Sequence, residues 1–316
     1  MTDFDTLMRA ERPFLTDGGM ETWLFFQRGF SSPEFAAITL VDDEYARAAL
    51  RVYFGAFLAL AERAGTGFVL DTNTWRGSVA WAYALGLSPD ALLAKSRTAV
   101  DFAKAIREEW QGRVSTILVN GVIGPAGDGY SADTMLSADG AQQVHAPQIG
   151  LLAEEGVDML TALTITNVPE ATGIARAAKE VGLPVVVSFT AETDGRLPSG
   201  DLLGEAIAAV DMATDAAPAY YMVNCAHPDH FRDALAGGAD WTRRIGGVRA
   251  NASRMSHAEL DNAEELDEGD PAEFGHLHAE IAAMLPALRV VGGCCGTDMR
   301  HVGCVSHHLH GEATTA

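Results

Sequence analysis

The 316-residue sequence predicts a single (β/α)8 barrel. Three observations carry that expectation. Short apolar runs alternate with longer amphipathic stretches, in eight β-then-α units. The short runs are rich in β-branched residues and bounded by Gly, Asn or Asp, as strands buried in a parallel sheet are. No linker, low-complexity segment, close repeat or break in composition divides the chain, so residues 1–316 are expected as one domain. A doubly wound sheet is the alternative, and it would usually have fewer strands.

In chain order, residues 13–17 (PFLTD) read as the first strand. Residues 42–64 are the clearest helix: Asp42 and Asp43 open it, Leu50, Tyr53, Phe54, Phe57, Leu58 and Leu60 form its apolar face, and Gly65 stops it. Strand 67–71 (GFVLD) and helix 89–110 follow, then strand 115–120 (STILVN) and helix 141–155. Strand 159–163 (MLTAL) leads to helix 170–181, and strand 185–189 (VVVSF) to helix 204–213. The last three strands are expected at 221–224, 245–250 and 289–291. The acidic run 259–273 reads as a solvated helix and loop. The tail 307–316, with His307, His308 and His310, is expected to fray.

Composition narrows the function. The chain is 48% apolar and 21% charged, which is ordinary for a globular domain. Its 22 basic against 43 acidic residues give a net charge of −21. Such a surface repels phosphate backbones and anionic lipid, so nucleic acid and membranes are excluded as partners. No apolar run approaches the roughly 20 residues of a membrane helix. The N-terminus, MTDFDTLMRA, is acidic and lacks a hydrophobic signal core, so a cytoplasmic protein is expected.

The four cysteines, Cys225, Cys294, Cys295 and Cys304, all fall in the last third of the chain. A disulfide scaffold would spread them through a short secreted chain. Adjacent Cα atoms lie about 3.8 Å apart, closer than a bridged pair stands, so Cys294 and Cys295 are not expected to bridge each other. Two readings remain, buried small hydrophobes or metal ligands. The barrel favours the metal, because strands 6 and 8 are near neighbours and bring Cys225 to Cys294 and Cys295. Zinc suits such soft thiolates. Cys304 lies about two helical turns further on, away from the ion. Three protein ligands leave a position open to substrate.

Active sites of barrels gather at the carboxyl ends of the strands. There this sequence places Asp17 with Gly18-Gly19, Asp71-Thr72-Asn73, Asn120 with Gly121 and Gly124, Asn224-Cys225, Asn251 with Ser253, and Gly292-Gly293-Cys294-Cys295-Gly296-Thr297. The last run with His301, together with Val223-Asn224-Cys225 and Leu15-Thr16-Asp17-Gly18-Gly19, resembles the homocysteine S-methyltransferase family. Asp71-Thr72-Asn73-Thr74 and Val122-Ile123-Gly124-Pro125 look like its second and third strand ends, and the likeness runs from about Phe14 to about Val302. The resemblance implies a (β/α)8 barrel with zinc at Cys225, Cys294 and Cys295. It also implies methyl transfer from a small sulfonium or quaternary ammonium donor to a thiol, by default homocysteine to methionine. Asp17 and Asn224 become the candidate catalytic residues, and Asp17, Gly18, Asn73, Asn120, Thr164 and Trp75 the candidate substrate contacts.

The chemistry is coherent by itself. Only a thiolate attacks a methyl group, and a free thiol is mostly protonated at neutral pH. Zinc at an open position would deprotonate and aim it.

Two departures from the family stand out. Its Glu-Thr pair at the end of strand 4 corresponds here to Leu163-Thr164, so the carboxylate for the substrate ammonium is missing and Asp17 is the candidate replacement. Met299 stands where proline is frequent. Plainer roles compete elsewhere. Asp17, Asn73, Asn120 and Asn224 can satisfy backbone at strand ends, and Trp23, Trp75 and Trp81 can pack in the core as readily as face a cationic donor. His227 and His230 read as loop residues before ligands, and Asp194-Gly195 with Gly200 as a turn. Alternatives to the main reading are another small thiol acceptor, another zinc reaction on the same barrel, or a non-catalytic thiol or metal sensor. Association with further copies of the chain is left open.

Overall fold

The computed structural model describes residues 2–133, 135–236, 238–263 and 265–311. Eight strands close into a barrel in chain order, each parallel to its neighbours, with β1 hydrogen-bonded to β2 and to β8. They are β1 (Phe14–Leu15), β2 (Phe68–Asp71), β3 (Ile117–Ile123), β4 (Met159–Ile165), β5 (Val185–Phe189), β6 (Tyr220–Asn224), β7 (Ile245–Ala250) and β8 (Val290–Gly293). A main helix follows each strand: α1 (Glu44–Ala64), α2 (Pro89–Trp110), α3 (Ala138–Glu154), α4 (Val168–Val181), α5 (Leu203–Thr214), α6 (Pro228–Leu235), α7 (Pro271–Met284) and α8 (Met299–His310). The fold is the (β/α)8 barrel that the alternation predicts.

Caps set the helix ends. Asp43 Oδ1 accepts from the Tyr45 and Ala46 N–H groups at 2.8 and 2.9 Å, and Gly65 closes α1 in the left-handed region. α3 and α4 begin a few residues before the expected 141 and 170. Ser137 and Asn167 are the caps, lying outside the apolar period that marked these helices in the sequence. The acidic run 259–273 contains the end of a short helix, His257–Asp261, and the start of α7 at Pro271. The expected fraying of 307–316 is corrected over its described part. α8 runs through His310, whose Nε2 meets the Pro13 carbonyl at 2.9 Å and ties the helix to the foot of β1; residues 312–316 lie outside the described residues. Among the described residues no helix is long and apolar enough to cross a membrane.

The barrel interior is graded. Phe14, Val69, Leu118, Met159, Val186, Met222 and Val290 fill its lower end, plugged by Leu7 of an N-terminal helix, Asp3–Arg9, that the sequence reading did not assign. Above them the lining turns polar around Asp71, Asn120, Thr161 and Arg249, leaving a cavity of only about 10 Å³. A larger cleft of about 300 Å³, beside Thr66 and Ser115 ahead of β2 and β3, lies at the opposite end of the barrel from the cysteines. β3 continues to Ile123, so Asn120 sits inside the barrel and not at a strand end. β4 slips register between Ala162 and Ile165, next to the positive φ of Thr164.

Candidate metal centre and substrate mouth

Cys225 follows β6 directly, and Cys294 and Cys295 follow β8. The three sulfurs all lie within 4.8 Å of one another. Cys225 and Cys294 touch through their sulfurs, with Cα atoms 5.4 Å apart, a spacing that serves a bridge or two ligands of one ion. The third sulfur favours the ion. Cys295 Sγ stands 4.0 Å from Cys225 Sγ, and Zn–S bonds of about 2.3 Å at tetrahedral angles put sulfurs about 3.8 Å apart. Among the described residues this is the one such group of potential ligands, so the donor set fits zinc. Cys304 packs on α8 against Gly275 of α7, with burial pushing its thiol up.

Backbone strain marks the same place. Cys225 has φ 53° and Thr164 φ 62°, in the left-handed region that a β-branched residue avoids at a cost of about 1–3 kcal/mol. Asn224 holds them. Its Oδ1 accepts from the Thr164 N–H (2.9 Å) and the Ser188 hydroxyl (2.6 Å), while its Nδ2 donates to Thr164 Oγ1 (2.9 Å). Nδ2 also reaches Cys294 Sγ at 3.8 Å. On the other side His257 Nε2 donates to the Cys225 carbonyl (2.8 Å), and its Nδ1 meets Glu192 at 3.0 Å.

Asp17 is buried and committed. Arg249, also buried, donates Nη2 to Asp17 at 2.6 Å and Nη1 to Asp71 in a closer contact. Inside the barrel, Asn120 Nδ2 donates to Asp71 (2.7 Å) and its Oδ1 accepts from the Thr161 hydroxyl (2.9 Å). Burial pushes the Asp17 carboxyl up and Arg249 pulls it down. Gly18 donates its N–H to Tyr53 Oη (3.1 Å), and a Cβ on Gly18 or Gly19 would stand 2.7 Å from the Thr297 carbonyl or 2.5 Å from that of Cys294. The glycine pair therefore lets the first loop lie against the cysteine loop.

The loop after β3 covers the mouth. Glu170 accepts the Ala126 N–H at 2.7 Å, and Tyr130 stacks on His257 with ring centroids 4.1 Å apart. Trp75 is already engaged. Arg76 lies over its ring at 4.2 Å and over Trp81 at 3.6 Å, and Trp75 Nε1 donates to the Leu163 carbonyl at 3.4 Å. Trp23 carries Arg28 in the same way at 5.3 Å. A cationic donor would therefore compete with a guanidinium at either ring. Asn73 donates to Met20 Sδ at 3.3 Å. His227 caps α6 and His230 meets the Arg254 carbonyl, so both hold backbone.

Sequence reasoning missed Arg249, Tyr130, His257 and Glu21. Arg249 left a usable signal, a lone charge within the apolar run IGGVRA. Glu21, half-buried in the turn Met20–Thr22, forms no ion pair among the described residues. Burial pushes its carboxyl up to about 7 against the pull of its own N–H, and Asp17 and Asp71 add to the rise.

These features define a parallel barrel with a three-cysteine, metal-type centre at the carboxyl ends of its strands. Residues 14–309 match the homocysteine S-methyltransferase family, and the chain belongs to it. It is 23% identical over 323 residues to homocysteine S-methyltransferase 1 of Arabidopsis thaliana, covering 93% of each chain. Its fold is similar to that of the homocysteine methyltransferase MmuM from Escherichia coli. The metallated form has a TM-score of 0.75 and the oxidized form 0.77, each at 21% identity over 96% of this chain and 99% of that one.

Proposed function

We propose that the protein is a zinc-dependent S-methyltransferase that moves a methyl group from a small onium donor to a thiol, with homocysteine, giving methionine, as the default acceptor. The observation that carries this is the convergence of Cys225, Cys294 and Cys295 from two strand ends onto one point. Zinc bound there would lower the pKa of an incoming thiol and leave its sulfur nucleophilic. The chain's own residues do the rest. Asn224 and the strained turns at Thr164 and Cys225 hold the sulfurs in place. The Tyr130 loop shields the mouth from water, and the glycine pair brings the first loop beside the reacting centre.

For an α-amino thiol the ammonium needs a carboxylate. Leu163 supplies none, and Asp17 and Asp71 are held by Arg249. Glu21 forms no ion pair among the described residues and lies within electrostatic reach of Asp17 and Asp71, and we assign it that role. Leu163 also favours a second reading, an acceptor thiol without an ammonium group.

Metal analysis with single variants tests the main reading. One zinc per chain is expected, lost with Cys225→Ala, Cys294→Ala or Cys295→Ala and kept with Cys304→Ala. Full zinc and turnover in any of the first three would sink the assignment, as would equal loss with Cys304→Ala. A screen of thiols against S-methylmethionine, S-adenosylmethionine and betaine then names the pair.

A further inference from the structure

Each of the three sulfurs receives a hydrogen bond from a separate donor. The Thr164 hydroxyl at the end of β4 donates to Cys225 Sγ (3.8 Å), the Asn224 amide of β6 to Cys294 Sγ (3.8 Å), and the Tyr130 hydroxyl to Cys295 Sγ (3.5 Å). The donors are held in place from behind. Asn224 bonds both the N–H and the hydroxyl of Thr164. Tyr130 lies flat on His257, 12° from parallel, and His257 is fixed between Glu192 and the Cys225 carbonyl.

We propose that these three donors protect the cysteine sulfurs from alkylation, so that an electrophilic methyl group is directed to the substrate sulfur and not to the protein. The inference rests on reading the cysteines as thiolates of a metal centre. A metal-bound thiolate is still a nucleophile, and an enzyme that brings an activated methyl group to four sulfurs has to discriminate among them. A hydrogen bond stabilises the anion and lowers its basicity, and the intrinsic nucleophilicity of a thiolate falls as its basicity falls. Attack by Cys295 would form an S–CH3 bond with the thiolate pair while the methyl–leaving-group bond breaks and its electrons depart with the leaving group. The product is a neutral thioether, a poor zinc ligand, and the enzyme would have inactivated itself.

Methyl methanesulfonate tests this on the full zinc-loaded chain, because it needs no donor site. The sulfur takes the methyl group and methanesulfonate leaves with the bonding pair. Methylation at each cysteine is read by peptide mass, with zinc measured on the same sample. Tyr130→Phe is expected to raise methylation of Cys295 about tenfold, the scale on which outer partners tune metal ligands, and to leave Cys225 and Cys294 unchanged. Thr164→Val should do the same at Cys225, and Thr164→Ser, which keeps the hydroxyl, should restore protection there. A rise spread evenly over all three sulfurs, or none in zinc-replete variants, overturns the proposal. An unmodified chain without zinc overturns the metal reading itself, and this inference with it.

Discussion

Asp17 and Asp71 share the guanidinium of Arg249, so neither carboxylate can meet a substrate cation without giving up a buried partner. Removing one member of such a group leaves an uncompensated buried charge and costs about 3–5 kcal/mol, so this triad serves as scaffold. Glu21 differs: it lies in the turn after Gly19, beside Thr22, whose hydroxyl oxygen accepts the Gly296 N–H at 3.2 Å. A charge-assisted hydrogen bond is worth roughly 1.5–3 kcal/mol, or about tenfold to a hundredfold in affinity. Glu21→Gln should raise the KM for homocysteine by that factor and leave the KM for 4-mercaptobutyrate, which lacks the ammonium, unchanged. Equal changes for both thiols would remove Glu21 from substrate recognition. Leu163→Glu in the Glu21→Gln background should recover part of the loss. At this scale the sequence exposed the meeting of Cys225, Cys294 and Cys295, because residue type at the ends of neighbouring strands is visible before the barrel is built. It hid the state of Asp17, because Arg249 is 232 residues away and only barrel closure brings the two together.

Helices α1 and α2 were legible in the sequence because period and caps agree, and the structure places α2 at the expected 89–110. The slip in β4 was not, since a left-handed Thr164 is imposed by Asn224 from another strand and leaves no local pattern. α7 was hidden for a different reason: its first turn lies in an acidic stretch that reads as solvated surface, although Phe274, Leu277, His278 and Ile281 are buried. His278 makes that burial measurable. Its Nδ1 donates to the Phe274 carbonyl at 2.9 Å within the helix, and burial pushes the ring down to about 4. The folded chain therefore keeps His278 neutral where the unfolded chain, with an ordinary histidine near 6.5, takes up a proton. Its contribution is full above about 6.5 and is lost as pH falls toward the folded value. Glu21 titrates with the opposite sign: its raised pKa favours the fold at low pH and ceases to do so as pH rises through about 7. Comparing each variant with the parent separates the two. His278→Leu should lose less thermal stability than the parent between pH 7 and pH 4.5, by roughly 1–3 kcal/mol. Parallel stability curves would show that the ring is protonated, or exposed, in the folded state.

Barrel closure and strand order followed from eight βα units in one unbroken chain, since parallel strands need crossover helices and a doubly wound sheet, which alternates in the same way, would usually have fewer strands. The net charge of −21 is a property of the same scale, and it bears on the onium donor proposed above. Besides the general surface, Glu21, Glu34 and Asp128 act electrostatically on Arg76 beneath the Tyr130 loop, so acidic groups border the route to the cysteines. A field of that sign concentrates a cationic onium donor and does nothing for a neutral one. The effect is long-ranged and therefore screened: the Debye length falls from about 30 Å at 0.01 M salt to about 8 Å at 0.15 M. Donor capture, measured as kcat/KM with thiol saturating, should fall severalfold across that range for a sulfonium or quaternary ammonium donor, at the low end of the roughly 10–10³ enhancement that steering provides. On the proposed reading, the zinc content and the KM of a neutral thiol such as 2-mercaptoethanol should not follow it, because metal–thiolate bonds are short and act well inside a Debye length. An onium donor whose kcat/KM is flat in salt while its turnover stays high would mean that capture depends on close contacts in the mouth, and the acidic surface would then have no part in choosing the donor.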